Sequence, residues 1–202
     1  MVLFISHRGN TNRMNTEKEN SISYVQEAIS KGFYVFVDVW LVGSNYLALG
    51  YKNPQYTVSL DFLKNEKLIC NARTIDTLNF LLDEDIHCLH HSQHSTSITN
   101  RGLIWTSPEN SLSKRCICDM PEWYMADVKD TAYMSSAGIC SDLISEVYYE
   151  KYPSENAVII EVKEKTLYQE EVVVEEKKEV AVQEVAVQEV VVEEKKEVVV
   201  EE

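Results

Sequence analysis

The chain is short of positive charge: 19 Lys and Arg stand against 33 Asp and Glu, a formal net charge of -14. Sequence-independent nucleic-acid binding needs clustered cations to neutralise phosphates, and that balance argues against it. No polybasic run points to an anionic membrane surface. Long apolar stretches are missing as well, which argues against a membrane-spanning helix. Five cysteines, an odd count, sit inside apolar, strand-like runs as Cys70, Cys88, Cys116, Cys118 and Cys140. They read as small core residues rather than a disulfide framework. With no charged-then-apolar leader, they give the expectation of a reducing, cytoplasmic setting. Cys116 and Cys118 would share one face of a strand, but without a second cysteine pair no zinc site is expected. Aromatic residues stop at Tyr168.

That last absence marks a boundary. Gln169 to Glu202 carries 12 Glu against 4 Lys, so -8 of the net charge lies in the tail. The ten residues from Glu171 recur from Glu189, and AVQEV occurs twice between them. The valines of this 18-residue period form neither a helical stripe nor strand alternation, so the expectation is a disordered or marginally helical tail that solubilises the chain or binds a protein partner. The predicted organisation is a domain over 1–150, a linker over 151–168 and an acidic repeat tail over 169–202.

Within the domain the most informative stretch is the first. Val2 to Asn10 is an apolar run ending in Ser6, His7, Arg8, Gly9 and Asn10. It predicts a buried strand delivering an imidazole, a guanidinium and a glycine turn to its carboxyl end, where parallel α/β folds keep their chemistry. A helix follows from Asn20 or Ser21 to Lys31, ended by Gly32, and then the nearly continuous apolar run Phe33 to Leu41, interrupted by Asp38. A buried carboxylate without a partner would cost several kcal/mol, of order 2–7 or more. Asp38 is therefore expected at the strand's mouth, bonded to a cation, a metal or backbone donors. Strand, helix, strand reads as a right-handed parallel βαβ unit.

His7-Arg8-Gly9, Glu19-Asn20-Ser21 and Asp38-Val39, in that order and at those spacings, resemble the opening of the glycerophosphodiester phosphodiesterases, relatives of the phosphatidylinositol-specific phospholipases C. Gly138-Ile139-Cys140-Ser141-Asp142 resembles that family's last strand. The resemblance implies a TIM-type (β/α) barrel that cleaves phosphodiesters at its mouth, usually with a divalent metal such as Mg or Ca. It implies His7 as one of two acid/base histidines, Arg8 on the phosphate, Glu19 supporting the site and Asp38 as a metal ligand, with Glu19 beside it. The ligand expected is a phosphodiester or another phosphate-bearing small molecule.

The chain departs from that pattern in two places. Where the family carries a metal-binding Glu two residues before the Asp, it has Phe36, and where a second His-Asp follows a short strand it has Tyr51-Lys52. A phenol, with an ordinary pKa of about 10, is a poor substitute for an imidazole near neutrality. Gly50 to Leu63 resembles a compact branch of the superfamily, and Asn71 and Arg73 stand where that branch offers His and Lys. Four histidines, His87, His90, His91 and His94, crowd one short run; on a strand they alternate faces and cannot converge on one metal. His91 is the candidate to replace the missing second histidine. Asp119 and Glu122 are read either as mouth carboxylates or as a solvated loop, Trp105 as core or pocket wall, and Asp142 as the cap of the helix Leu143 to Tyr149.

Seven strands are predicted: Val2–Ser6, Tyr34–Val39, Leu68–Asn71, Ile86–Leu89, Leu103–Thr106, Arg115–Asp119 and Gly138–Cys140, with Tyr46–Leu49 as a possible eighth. A full barrel takes about 200–250 residues, so an abbreviated, distorted one is expected. Two functions are open: a phosphodiesterase of impaired activity, or a non-catalytic descendant that keeps a phosphate-binding mouth and serves as an interaction module.

Overall fold

The opening apolar run builds β1 (Leu3–His7). After a polar loop comes α1 (Ile22–Ser30), which buries Val25 and Ala28, one turn apart on a single face. Ser21 holds the position that opens this helix but makes no side-chain cap bond. The chain turns at Gly32, whose φ of 97° suits a residue without Cβ, and enters β2 (Tyr34–Val42). β3 (Tyr46–Leu49) and β4 (Tyr56–Thr57) follow. Then come α2 (Leu60–Leu63), capped by Ser59, β5 (Leu68–Ala72) and α3 (Ile75–Asp83), whose cap Thr74 accepts from the Thr77 N–H. The remaining elements are β6 (Cys88–Leu89), β7 (Ser97–Ile98), β8 (Ile104–Thr106), β9 (Cys116–Asp119), a 3-10 turn (Pro121–Tyr124), β10 (Gly138–Ser141) and α4 (Ile144–Lys151).

The computed structural model describes residues 2–43, 46–91, 96–126, 133 and 135–153. The chain divides into two units, Met1–Lys151 and Tyr152–Glu202. The predicted tail, and all of the predicted linker beyond Pro153, lie outside the described residues, as does His94.

Parallel pairing runs β6-β5-β2-β1-β10-β9-β8, so the first strand of the chain lies beside the last. Each of the seven predicted strands is present in this run. Tyr46–Leu49 is a strand but not a member of it: β3 pairs antiparallel with β2, Val39 opposite Leu49. Three residues separate β2 from β3, and a parallel return needs a crossover of a dozen or more. The result is a mixed α/β sheet, curled into a half-barrel.

The curl follows from the packing. Ile5, Phe36, Ile69, Leu89, Trp105, Ile117 and Cys140, one from each parallel strand, meet in a single buried cluster with Met120. A flat seven-stranded sheet could not bring its two edges into one cluster. Side chains on the other face pack under helices: Val35, Val37, Leu68 and Cys88 with Val25 and Leu81, and Phe4 and Ile139 with Ile144 and Val147. All five cysteines are buried and free. Burial pushes the thiols of Cys88 and Cys118 up to about 11 and about 12, which makes them core residues rather than nucleophiles.

β6 and β8 do not pair, and Asn100 fills the seam between them. Its side-chain carbonyl accepts from the Cys88 N–H (3.0 Å), its amide donates to the Ile86 carbonyl (2.8 Å), and its own N–H donates to the Cys88 carbonyl (2.9 Å). One residue thus does for the open edge of β6 what a neighbouring strand would do. Asn100→Ala removes the two side-chain bonds and is expected to cost about 1–3 kcal/mol, read as a shift in the urea midpoint at unchanged slope. An unshifted midpoint would mean that the seam is closed by something other than this amide.

Candidate functional site

The carboxyl end of β1 turns sharply. Arg8 takes a left-handed φ of 57° and Gly9 one of 97°, and the Asn10 N–H closes the turn on the His7 carbonyl at 2.9 Å. A Cβ on Gly9 would lie 2.7 Å from the Tyr24 ring, so the turn fits against α1 only as glycine. The Arg8 N–H donates to the Phe36 carbonyl (2.8 Å) and fixes the turn to β2.

Asp38, fully buried, has both carboxylate oxygens occupied. Oδ2 accepts from Arg8 Nε at 2.7 Å and from the Asn20 amide at 3.4 Å. Oδ1 accepts from the Asn71 amide at 2.8 Å and from Arg73 Nη1 at 3.3 Å. The Asp38 N–H donates to the side-chain oxygen of Asn20 at 2.9 Å, so Asn20 serves β2 rather than α1. The cation that the buried carboxylate demanded is therefore supplied twice, by guanidinium.

From Arg8 the network continues without a break. Nη1 reaches Glu19 (3.1 Å), Glu19 accepts from the Asn10 amide (2.9 Å), that amide also donates to Asp142 (2.7 Å), and the same Asp142 oxygen lies 2.9 Å from His7 Nδ1. Burial works against the Arg8 charge, but Asp38 and Glu19 outweigh it and push the guanidinium's pKa further up. The Tyr51 ring covers the Arg8 guanidinium at 3.7 Å, so a residue read as a failed histidine is a lid on the arginine.

Asp142 corrects an expectation. Rather than capping a helix, its carboxylate lies on His7 and Asn10, and its N–H donates to Glu122 at 2.6 Å. Its 135-residue separation from His7 hides the pair from any local pattern; the only signal was the carboxylate closing a strand-like run. Glu122 is partly buried rather than a solvated loop residue: burial raises its pKa, against bonds from its own backbone, the Asp142 N–H and Ser141.

The histidines do not follow the strand alternation expected of them, because β6 covers only Cys88 and Leu89: His90 and His91 border one cavity and His87 another. His87 opens the approach to β6 and burial drops its pKa to about 4. His90 Nδ1 meets the Ala72 carbonyl. His91 turns inward, its N–H on Asn71 (2.9 Å), Nδ1 at 3.1 Å from Ser97 Oγ and Nε2 at 3.3 Å from Asp119. Both of its ring nitrogens are engaged. Neutral imidazole satisfies this arrangement by donating to Asp119 and accepting from the Ser97 hydroxyl.

These groups border a cavity of about 190 Å³ whose wall includes His7, Arg8, Arg73, His91 and Asp119. A second, of about 430 Å³, shares Arg8, Tyr51 and Trp123 with it and adds Met14, Lys52 and Gln55. All of the residues expected in the site are thus gathered: His7, Arg8 and His91 on the first cavity, Asp38 behind Arg8, and Glu19 bordering the second.

Among the described residues, one group of three ionisable side chains could hold a cation. Donor atoms of His7, Glu19 and Asp142, all buried, lie within 4.8 Å of one another. One imidazole and two carboxylates at that spacing fit a divalent ion bound at about 2.0–2.6 Å, provided that Asn10 yields its bonds. Asp38 is not in this group. Compared with known proteins, the chain matches no family model, no curated protein and no solved structure.

Proposed function

We propose that the described domain is a shortened TIM-type barrel of the phosphodiesterase kind, and that its mouth binds a phosphodiester and hydrolyses it slowly with His7 as the acid/base group. The observation that supports this most is the His7–Asp142 pair. Asp142 holds Nδ1, leaving Nε2 as the ring nitrogen without a hydrogen-bond partner among the described residues, on a cavity that two guanidiniums also border.

The chemistry follows from these groups. Displacement at phosphorus needs a base on the attacking oxygen, an acid on the leaving one and positive charge on the remaining oxygens. His7 Nε2 takes the proton of the attacking water while Asp142 keeps Nδ1 protonated and steadies the imidazolium, and the alcohol leaves. The proton shared by His91 and Asp119 serves the leaving oxygen. A divalent ion held by His7, Glu19 and Asp142 would instead supply Lewis-acid charge to phosphate oxygens, at the cost of the Asn10 bonds and of the acid/base role of His7.

A second reading has its own support. The saturation of Asp38 by two arginines, the apolar Phe36 beside it and the tyrosine covering Arg8 suit a mouth that binds phosphate without turnover. Hydrolysis of glycerophosphodiesters by the full chain, with and without Mg or Ca, separates the two. The expected result is slow turnover that falls about 10²–10⁴-fold in His7→Ala. Activity indifferent to that substitution removes His7 from the mechanism. No turnover in the parent, with phosphate still bound, leaves the binding reading.

A further inference from the structure

Asp142 is 3% exposed and has no guanidinium or ammonium on it among the described residues. Asp38 takes two guanidiniums and Glu19 one, whereas Asp142 has the Asn10 amide at 2.7 Å and the His7 imidazole at 2.9 Å. A second carboxyl group, Glu122, accepts from the Asp142 N–H, and its other oxygen is buried without a hydrogen-bond partner. Burying a carboxylate without a permanent cation is costly. This corner of the network is short of positive charge.

The Asn10 amide nitrogen marks where that charge would sit. It lies 2.9 Å from Glu19 Oε1 and 2.7 Å from Asp142 Oδ1, so a neutral N–H dipole answers two carboxylates at once. Donor atoms of His7, Glu19 and Asp142 all fall within 4.8 Å of one another around it. Asp38 offers no comparable place, since both of its oxygens are filled and Phe36 stands two residues before it. One nitrogen and two oxygens suit zinc, which takes imidazole readily and is content with few ligands. Mg and Ca ask for more ligands, and for oxygen alone.

We infer that His7, Glu19 and Asp142 form an inhibitory zinc site, in which the ion takes Nδ1 of His7 and so removes the base from the cavity. A neutral imidazole carries one proton, and Asp142 holds it on Nδ1, which leaves the lone pair on Nε2. Once Nδ1 gives its own lone pair to zinc, that proton must sit on Nε2. It passes there through solvent, the ring stays neutral, and Nε2 changes from acceptor to donor. His91 cannot take over, because both of its ring nitrogens are engaged. An Nε2–H still holds a phosphate oxygen, so the zinc-loaded form binds without turnover, the reverse of the metal requirement that the resemblance implies. The inference deepens the proposed function and rests on its assignment of Nε2 as the base.

The test is titration of the full chain with zinc, and separately with Mg, followed by calorimetry, by the ring-nitrogen NMR signals of His7 and by turnover of a glycerophosphodiester. Saturable zinc binding is expected, with Mg far weaker, the proton on Nδ1 before zinc and on Nε2 after it, and turnover that falls as the site fills and returns with a chelator. Glu19→Gln should weaken zinc at least about tenfold. Asn10→Asp keeps the oxygen that accepts from the Asn15 N–H but sets a third carboxylate on the site, so it should melt lower than the parent without zinc and gain more from zinc than the parent does. Parent-like affinity in Glu19→Gln, with no added gain in Asn10→Asp, places the ion elsewhere and overturns the inference. So does a proton that stays on Nδ1 at saturation, or turnover that rises as zinc binds. If the parent hydrolyses nothing, the hydrolase reading fails by itself, and the ring nitrogens still decide the site: a proton on Nε2 at saturation upholds it, and one on Nδ1 overturns it.

Discussion

Asp38→Ala is expected to lower the stability of the folded domain by about 3–5 kcal/mol, the cost of leaving a buried charge without its partner. Few single substitutions in this chain should do more. The carboxylate is fully buried and joins β2 to β1 through Arg8 and to β5 through Asn71 and Arg73. Its removal strands the Arg8 guanidinium in a place where 8% of the residue is exposed, with only Glu19 to answer it. A domain of this size has about 5–15 kcal/mol in hand, so the variant should sit near the edge of folding at ambient temperature. Thermal and urea unfolding give the measurement, and Asp38→Leu combined with Arg8→Met separates the cost of a broken ion pair from that of lost packing. Recovery of much of the stability in the double variant is expected, because a buried pair replaced by apolar groups is often neutral. Equal losses in Asp38→Ala and in the double variant would mean that the carboxylate matters through its hydrogen bonds to Asn20 and Asn71 alone.

The strands were legible because each announces itself locally. Apolar runs bounded by turns gave all seven members of the parallel set, and the pairing of the first strand with the last goes with the curl of the sheet. Tyr46–Leu49 was visible as a strand but its direction was a matter of connection length. The site was legible in its ionisable residues and obscure in its wiring. His7, Arg8, Glu19, Asp38 and His91 could be picked out by type and position, yet what each touches is decided by partners 6 to 135 residues away. Asn20 could be noted only as part of the Glu19-Asn20-Ser21 motif and Asn71 only as standing in for a His, and nothing local told what they or Asn10 bond to, since an asparagine after a strand or before a helix reads as turn or cap chemistry. In the fold they are the connectors: Asn10 between Glu19 and Asp142, Asn20 and Asn71 on Asp38. Nor could composition tell that Tyr51 would cover Arg8, since the same residue on an exposed loop would have looked identical.

Phe36→Glu is expected to cost about 3–5 kcal/mol in the absence of divalent metal, and to make the stability of the domain depend on one. Phe36 is 3% exposed, stacks on Trp105 with ring centres 4.9 Å apart and faces His7 at 6.0 Å. Cutting away that ring leaves a cavity, and the new carboxylate enters an apolar cluster with no donor of its own. Residues 36 and 38 lie on one face of β2, two positions apart, so the added carboxylate stands beside Asp38 and the pair forms the half-site that a hard cation needs. Mg or Ca at about 100 times its dissociation constant should then return about 2.7 kcal/mol by binding the folded state alone, a rise in melting temperature larger than any the parent shows with the same ion. Tyr51→His in the same chain uncovers the Arg8 face and sets a second imidazole on the cavity, and metal-dependent turnover of a glycerophosphodiester above the parent's rate is the expected gain. A Phe36→Glu variant as stable as the parent and indifferent to metal would show that the side chain has turned away from Asp38, against the pairing of Phe36 with His7 and Ile69 on its two neighbouring strands.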